Sequence, residues 1–323
     1  MPASSSPLSS TKNFSSWLRG NTDKAGGILI TLIALLFFYF FLPLYGPMLA
    51  KSVFGWMEDA WNGETNYEHG YLVPVMMILM IASVRKDLAK IETKPDARGL
   101  LLIVIGALFY VAAYRTLQAR VAVGSFPFVL LGACWCFWGW EMAKKLAYPI
   151  FFIGLAIPLP SFQQSTVPLQ VMATNGAQWI SGVFGTPTII QGTEIKPVSG
   201  AWQSLEVAGG CSGIRSLMAL IMISATWAFL ARDLSLWKRG ILLLAAVPLA
   251  VIGNMLRVGS ICIMADHAGY EFAAGTWHDW SGLFLFYPIS LALLFLTHSL
   301  LKGEMPFFSK RKRKVVVRSS SQA

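Results

Sequence analysis

Long apolar runs, broken by short polar segments, follow one another along most of the chain. They lie near 26–46, 69–84, 99–114, 121–140, 146–160, 211–231, 240–265 and 279–301. Many approach or exceed the roughly 20 residues that a helix needs to cross the hydrocarbon core of a bilayer. The pattern predicts an all-α polytopic membrane protein with about eight transmembrane helices.

Residues 161–210 do not fit a plain bundle of spans. Over 163–184, apolar residues recur at helical spacing with Gln and Asn between them, which predicts an amphipathic helix lying at the outer interface. The stretch TPTIIQGTEIKPVSGAWQSLEV then alternates apolar and polar residues around Gly and Pro. It predicts a short β-hairpin outside the hydrocarbon, because an open sheet edge cannot face lipid.

Composition and charge narrow the class of protein. With 55% hydrophobic and 13% charged residues, the chain is neither a large soluble enzyme nor a disordered protein. The net charge is +10, and most Lys and Arg fall on one side if both termini are cytoplasmic, as the positive-inside rule requires. We therefore interpret the positive charge as a topology signal and expect no nucleic acid partner.

The domain organisation follows from the same pattern. We expect a disordered cytoplasmic N-terminus over 1–25, an integral-membrane domain over 26–301 with its outer loop at 161–210, and a basic cytoplasmic tail over 302–323. The KRKRK in that tail is typical of a segment that contacts lipid headgroups, so membrane lipid is an expected partner.

Cys211 is the first candidate for chemistry. It lies in EVAGGCSGIRSL at the outer start of the sixth predicted helix, after two glycines that permit a sharp turn. A helix N-terminus favours the thiolate over the thiol, and its N–H groups could hold an oxyanion. Cys134, Cys136 and Cys262 lie within apolar runs, where cysteine usually acts as a small apolar filler.

Arg257 and Asn254 lie three residues apart in IGNMLRVGSI, on one face of the seventh predicted helix. A buried Arg needs an anion or a polar cavity, and the structural alternative is pairing with Asp266 or Glu206.

His278, in AGTWHDWSG, is predicted at the outer start of the eighth helix, and the neighbouring Asp279 is expected to point elsewhere. The predicted topology places Cys211, Arg257 and His278 on the same side. Thiolate and imidazole form the minimal set for thiol acyl transfer, and a guanidinium can stabilise the negative charge that develops on oxygen.

Two further polar residues have open roles. Arg215, four residues after Cys211 on the same predicted helix face, could raise the thiolate content, hold a substrate carboxylate, or pair with Glu206. His69 could join the site or cap the second helix. The four His residues are scattered without metal-ligand spacing, so we expect no metal and no other cofactor.

Several stretches occur in a familiar order over about 69–281. They are EHGYLVP, YPIFFIGLAIPLP, EVAGGCSGIRSL, NMLRV and the single His278. In these stretches the chain resembles the exosortase/archaeosortase family of integral-membrane transpeptidases, with CSGIRSL as the most specific element. It departs from the family at Gly210, where Ala is usual.

The resemblance implies a Cys–Arg–His site carried by Cys211, Arg257 and His278 in a bacterial inner membrane, facing outward. It implies partners among exported proteins whose C-terminal sorting signal has a short Pro/Glu-type motif (PEP-CTERM-like), a membrane helix and a basic tail. After cleavage through a thioester, the new carboxyl end would pass to a cell-envelope acceptor.

Two alternatives remain at this point. GCSG also offers Ser212 as the nucleophile of a rhomboid-like serine protease, which thiol-selective alkylation would spare. A non-enzymatic transporter could instead line a polar pathway with Arg257, Arg215 and His278. The transporter reading predicts flux without a covalent intermediate.

Overall fold

The computed structural model describes residues 22–44, 51–159, 166–207 and 213–304. The chain divides into two compact units, 1–159 and 160–323. The predicted N-terminal segment 1–25 and tail 302–323 fall largely outside the described residues.

The first unit is helical. Within the described residues its helices are α1 (Thr22–Leu36, continued by a π-helical turn over Phe37–Phe41), α2 (Val53–Ala60), α3 (Leu72–Leu88), α4 (Gly99–Thr116), α5 (Ala119–Trp138) and α6 (Trp140–Phe151). Short 3₁₀ turns, Glu68–Tyr71 and Phe152–Ala156, precede α3 and follow α6.

Glycines bring the backbones of α4 and α5 into contact. A Cβ at Gly132 would stand 2.8 Å from the carbonyl oxygen of Gly99, and one at Gly106 would stand 3.1 Å from that of Ser125. Lipid supplies no hydrophobic force between helices, so membrane helices associate where small residues allow close packing. The glycines therefore fix how this helix pair packs.

The second unit combines helices with a small sheet. Its elements are α7 (Thr166–Val183), β1 (Thr188–Gln191), β2 (Glu194–Pro197), β3 (Leu205–Glu206), α8 (Ile214–Leu230), α9 (Leu236–Ala268) and α10 (Tyr270–Lys302). The antiparallel strands lie in the order β1-β2-β3. The predicted hairpin is confirmed as β1 and β2, and β3 is an addition that the sequence did not indicate.

The helix predicted over 163–184 is confirmed as α7. A Cβ at Gly259 of α9 would stand 2.8 Å from the Ile180 side chain, and Gly176 of α7 lies against Met255. Small residues thus let α7 pack closely on α9, while Trp179 and Val183 on another face are exposed. α7 is therefore more than an interfacial helix, because one face is buried against a membrane helix.

Eight spans are not confirmed. Among the described residues, α4, α5, α9 and α10 are long and apolar enough to cross a bilayer, while 25–41 and α8 are shorter apolar helices. α3 has 17 residues. In the run predicted at 146–160, α6 ends at Phe151 and a 3₁₀ turn follows. Apolar composition alone does not distinguish a continuous helix from an apolar segment with irregular backbone.

α9 and α10 are longer than a bilayer requires. Each has 33 residues, about 50 Å of helix at 1.5 Å per residue, against a hydrocarbon core of roughly 30 Å. Gly269, with φ +92°, joins them in a backbone conformation that favours glycine. Both helices must therefore extend beyond the hydrocarbon core.

The packing of α4 on α5 gives a testable prediction. Gly132→Ala should lower the free energy of unfolding by about 1–3 kcal/mol, because the new methyl group meets backbone atoms that cannot rotate away. Gly124→Ala is the matched control on the same helix, since nothing lies within 4 Å of its added Cβ. Thermal unfolding of the purified protein in detergent measures both, and equal midpoints would contradict the expected close contact.

Candidate active site

The chain enters α8 through Gly213. This residue has φ +81°, a left-handed conformation, and the helix begins at Ile214. Cys211 and Ser212 lie outside the described residues. The expectation that Cys211 and Arg215 share a helix face therefore also falls outside the described residues.

Asn254 of α9 lies directly against that entry. Its side chain is 2% exposed, and a Cβ at Gly213 would stand 2.7 Å from its Cγ. Asn254 and Gly213 line a small cavity together with Leu169 and Leu217. Asn254 of α9 therefore contacts Gly213, the residue two positions after Cys211 in the sequence.

Arg257 is bound to the turn of α10 that carries His278. Its Nε donates to Ser281 Oγ at 3.2 Å, and its Nη2 donates to the His278 carbonyl oxygen at 3.0 Å. The buried Ser281 hydroxyl, 0% exposed, donates to the same carbonyl at 3.0 Å. The Ser281 hydroxyl therefore accepts a hydrogen bond from the Arg257 guanidinium and donates one to the His278 carbonyl. These bonds fix Arg257 relative to the backbone of His278.

A second pair of hydrogen bonds joins α9 and α10 at this level. Trp277 Nε1 donates to Ser260 Oγ at 3.1 Å, and Ser260 donates to the Arg257 carbonyl oxygen at 2.7 Å. Ser260, Trp277 and Ser281 were missed by sequence reasoning. Serines within an apolar helix and a Trp next to the candidate His were the available signals, but neither identifies its partner.

Two π-helical turns flank His278. They span Ala273–Trp277 and Gly282–Phe286, on either side of His278–Ser281. Single π turns within α-helices occur often at functional sites. The expectation that His278 starts the last helix is wrong, because α10 begins at Tyr270 and His278 lies about two turns inside it. Each π turn changes which residues share a helix face, so spacing alone could not predict these contacts.

Asp279 contacts His278, contrary to the expectation that it points elsewhere. Asp279 Oδ1 lies 3.2 Å from His278 Nδ1. A carboxylate at Nδ1 favours a proton there and leaves Nε2 for proton exchange. The Asp279 side chain is 79% exposed, so the pair adds little to stability.

The other candidates lie elsewhere within their own units. Arg215 occupies the first turn of α8. Glu206 is exposed on β3, opposite Glu194 of β2. Asp266, proposed as a partner for Arg257, accepts a long hydrogen bond from Thr186 at 3.4 Å.

His69 lies in the first unit and is buried, 6% exposed, in the 3₁₀ turn before α3. Its Nε2 lies 3.3 Å from the Leu155 carbonyl oxygen, and its ring lies 5.0 Å from that of Tyr67. Burial lowers the pKa of His69 below its ordinary value, although hydrogen bonds to carbonyl groups and the charge of Glu68 oppose this shift. These contacts support a structural role for a neutral imidazole.

His69 is one of four side chains that bind the segment 155–159, which comprises the end of the 3₁₀ turn and the three residues after it. The other three bonds run from Trp61 Nε1 to the Ala156 carbonyl at 2.9 Å, from Arg120 Nε to the Pro158 carbonyl at 2.6 Å, and from the Leu159 N–H to Tyr67 Oη at 3.1 Å. The stretches EHGYLVP and YPIFFIGLAIPLP are therefore in direct contact.

Comparison with known proteins identifies one family. A family model described as a transmembrane exosortase matches residues 61–296. No curated protein and no solved structure matches the chain.

The burial of His69 predicts a pH dependence of stability. The unfolded chain takes up a proton on His69 more readily than the folded chain, so stability is full above about pH 6.5 and falls as the pH drops through the lowered folded pKa. His69→Gln keeps an amide donor for Leu155 but does not titrate. Its thermal midpoint should therefore fall less than that of the wild type between about pH 7.5 and pH 5.

His267→Gln is the control, because His267 is an exposed histidine. It should retain the pH dependence of the wild type. If His69→Gln and the wild type lose stability in parallel on acidification, His69 is not held neutral by burial.

Proposed function

The chain belongs to the transmembrane exosortase family, and from this we propose that it is a membrane-embedded cysteine transpeptidase. It would cleave exported proteins that carry a C-terminal sorting signal (a short PEP-CTERM-like motif, a membrane helix and a basic tail). It would transfer each new carboxyl end to a cell-envelope acceptor at the outer face of the inner membrane. Cys211 is the proposed nucleophile, with Arg257 and His278 as its catalytic partners.

The observation that supports this proposal best is the binding of Arg257 to the His278 turn. A cation within an apolar helix is costly and marks a functional site by default. Here the guanidinium is hydrogen-bonded to Ser281 and to the His278 backbone. Positive charge and a proton donor are thus held at one place, which is what an oxyanion and a leaving amine require.

Helix lengths support a site at the membrane boundary. About 20 helical residues cross the hydrocarbon core. Basic residues lie near the start of α9, which begins at Leu236, and at the end of α10, at Lys302. Twenty residues from these ends reach roughly Leu256 in α9 and Gly282 in α10. Arg257 and His278 then lie just outside the hydrocarbon, where water and a polar acceptor can enter and a membrane-anchored substrate can present its signal.

The proposed reaction has two steps. The Cys211 thiolate attacks the scissile carbonyl, and the charge of Arg257 and the first N–H groups of α8 stabilise the oxyanion. His278 gives its proton to the leaving amine as the C–N bond breaks, which leaves a thioester on Cys211. An acceptor amine or hydroxyl then attacks the thioester, loses its proton to His278, and restores the thiolate.

Asn254 and Arg215 have supporting roles in this proposal. Asn254 packs on Gly213 and so holds the backbone two residues after the nucleophile. Arg215 lies in the first turn of α8, where its charge adds to that of the helix terminus and favours a thiolate.

Replacement of the nucleophile tests the reaction. Cys211→Ala should reduce processing of a reporter with a C-terminal sorting signal by about a thousand-fold or more, because no other group replaces the thiolate. Ser212→Ala should retain processing, which separates this mechanism from a serine protease. Cys134→Ala is the control for loss of a buried thiol.

A trapped acyl-enzyme gives the positive result. Mass spectrometry should find the substrate peptide attached to Cys211 and should define the cleaved bond. Undiminished processing by Cys211→Ala would rule out the cysteine mechanism, and substrate flux into proteoliposomes without a covalent intermediate would favour a transporter.

Ser281 is expected to act through Arg257. Ser281→Ala removes an acceptor for a charged donor, a bond worth about 1.5–3 kcal/mol, so kcat should fall by roughly ten-fold or more with little change in KM. Ser290→Ala is the matched control, a second serine of α10 that is also 0% exposed. Equal kcat values for the two variants would show that Ser281 does not position Arg257.

A further inference from the structure

The register of β3 leaves the backbone of Glu206 facing away from the sheet. Val207 N–H donates to the Thr193 carbonyl at 2.9 Å, so these two residues form a hydrogen-bonded pair. Pairs alternate along an antiparallel ladder, and the Glu206–Glu194 pair is therefore the non-hydrogen-bonded type. The N–H and C=O of Glu206 point outward from an exposed residue, and within the described part of the chain no hydrogen bond to either group is found beyond the sheet.

The two outer edges of the sheet differ. On β1, Thr188 points its carbonyl outward, and that oxygen accepts from Gln178 Nε2 of α7 at 2.9 Å. On β3, Tyr270 Oη lies 3.4 Å from the Ser204 carbonyl oxygen, two residues before Glu206. At the β1 edge the Thr188 carbonyl is thus bonded to α7, whereas at the β3 edge Glu206, two residues after the contact with Tyr270, is exposed.

The sheet is packed beside the candidate site. Ile195 and Val207 belong to one buried cluster with Val258 and Ile261 of α9, which adjoin Arg257. β3 ends at Glu206, five residues before Cys211. Five residues span at most about 17 Å, so a chain that pairs with β3 runs near the nucleophile.

We infer that the outer edge of β3 binds the extended sorting segment of the substrate as an added strand. The inference rests on the function proposed above. An exposed N–H and C=O on one strand residue recognise a polypeptide main chain, because they pair with its C=O and N–H whatever its side chains are. Such pairing would hold the scissile segment extended, with alternate substrate residues facing the β3 edge.

Proline substitution removes the outward N–H alone. Glu206→Pro should lower kcat/KM by about three- to ten-fold relative to Glu206→Ala, the worth of one hydrogen bond. Proline is tolerated at a strand edge when its nitrogen faces away from the ladder. Ile190→Pro against Ile190→Ala is the matched control, because the same alternation points the Ile190 N–H outward from the β1 edge. The kcat/KM values of Ile190→Pro and Ile190→Ala should differ by less than about two-fold.

N-methylation of the substrate tests the same pairing without altering the enzyme. Synthetic peptides spanning the cleaved motif, as identified from the trapped acyl-enzyme, would be N-methylated one residue at a time and used as competitors of the wild-type protein. Strand addition predicts that inhibition weakens when the one residue whose N–H faces the Glu206 carbonyl is methylated, and not when either of its neighbours is, because neighbouring N–H groups point to opposite edges. A structural defect in the enzyme cannot produce this dependence on a single substrate position.

The outcomes separate this inference from the proposed function. Processing that survives Cys211→Ala would overturn the proposed function and, with it, the inference. If Cys211 is required but N-methylation at a residue and at its neighbours has equal effects, and the proline effect at Glu206 equals that at Ile190, strand addition at β3 is wrong and the transpeptidase proposal stands. Loss of inhibition on methylation of one residue but not its neighbours, together with a proline effect at Glu206 alone, supports the inference.

Discussion

Every backbone polar group inside a bilayer needs a partner within the protein, since lipid offers none. Helices meet this requirement by themselves, and most of the described chain is helical. Where the 3₁₀ turn ends, over 155–159, backbone groups instead bond to the side chains of Trp61, Tyr67, His69 and Arg120. The same requirement accounts for glycines at helix contacts, which permit close packing without interrupting the helical hydrogen bonds.

The candidate site follows from a related cost, that of a charge in an apolar helix. Arg257 is stabilised by a hydroxyl and a backbone carbonyl of α10, and these bonds tie its position to that of His278. The hydrogen bond from Trp277 to Ser260 joins the same two helices nearby. A cation held in this way does not have to reorganise when negative charge develops on a substrate, which is how preorganised sites lower a barrier.

The sheet and the helices contribute different parts of the proposed recognition. α9 and α10 supply charge and proton transfer, and the edge of β3 supplies main-chain hydrogen bonds. Pairing through the main chain tolerates varied side chains, as the proposed substrates require, since they would share a short signal and differ elsewhere. Packing of β2 and β3 on α9 keeps this edge at a fixed distance from Arg257.

The sequence by itself determined the class of protein, the family, the hairpin and the helices α7 and α9, because apolar periodicity and turn residues act over short stretches. It also indicated Arg257, since a charge in an apolar run stands out. Only the tertiary structure decided that His69 binds Leu155, that Ser281 holds Arg257, and that Asp279 contacts His278. Those contacts depend on partners distant in sequence and on π turns that shift helix faces, and neither leaves a periodic signal in the chain.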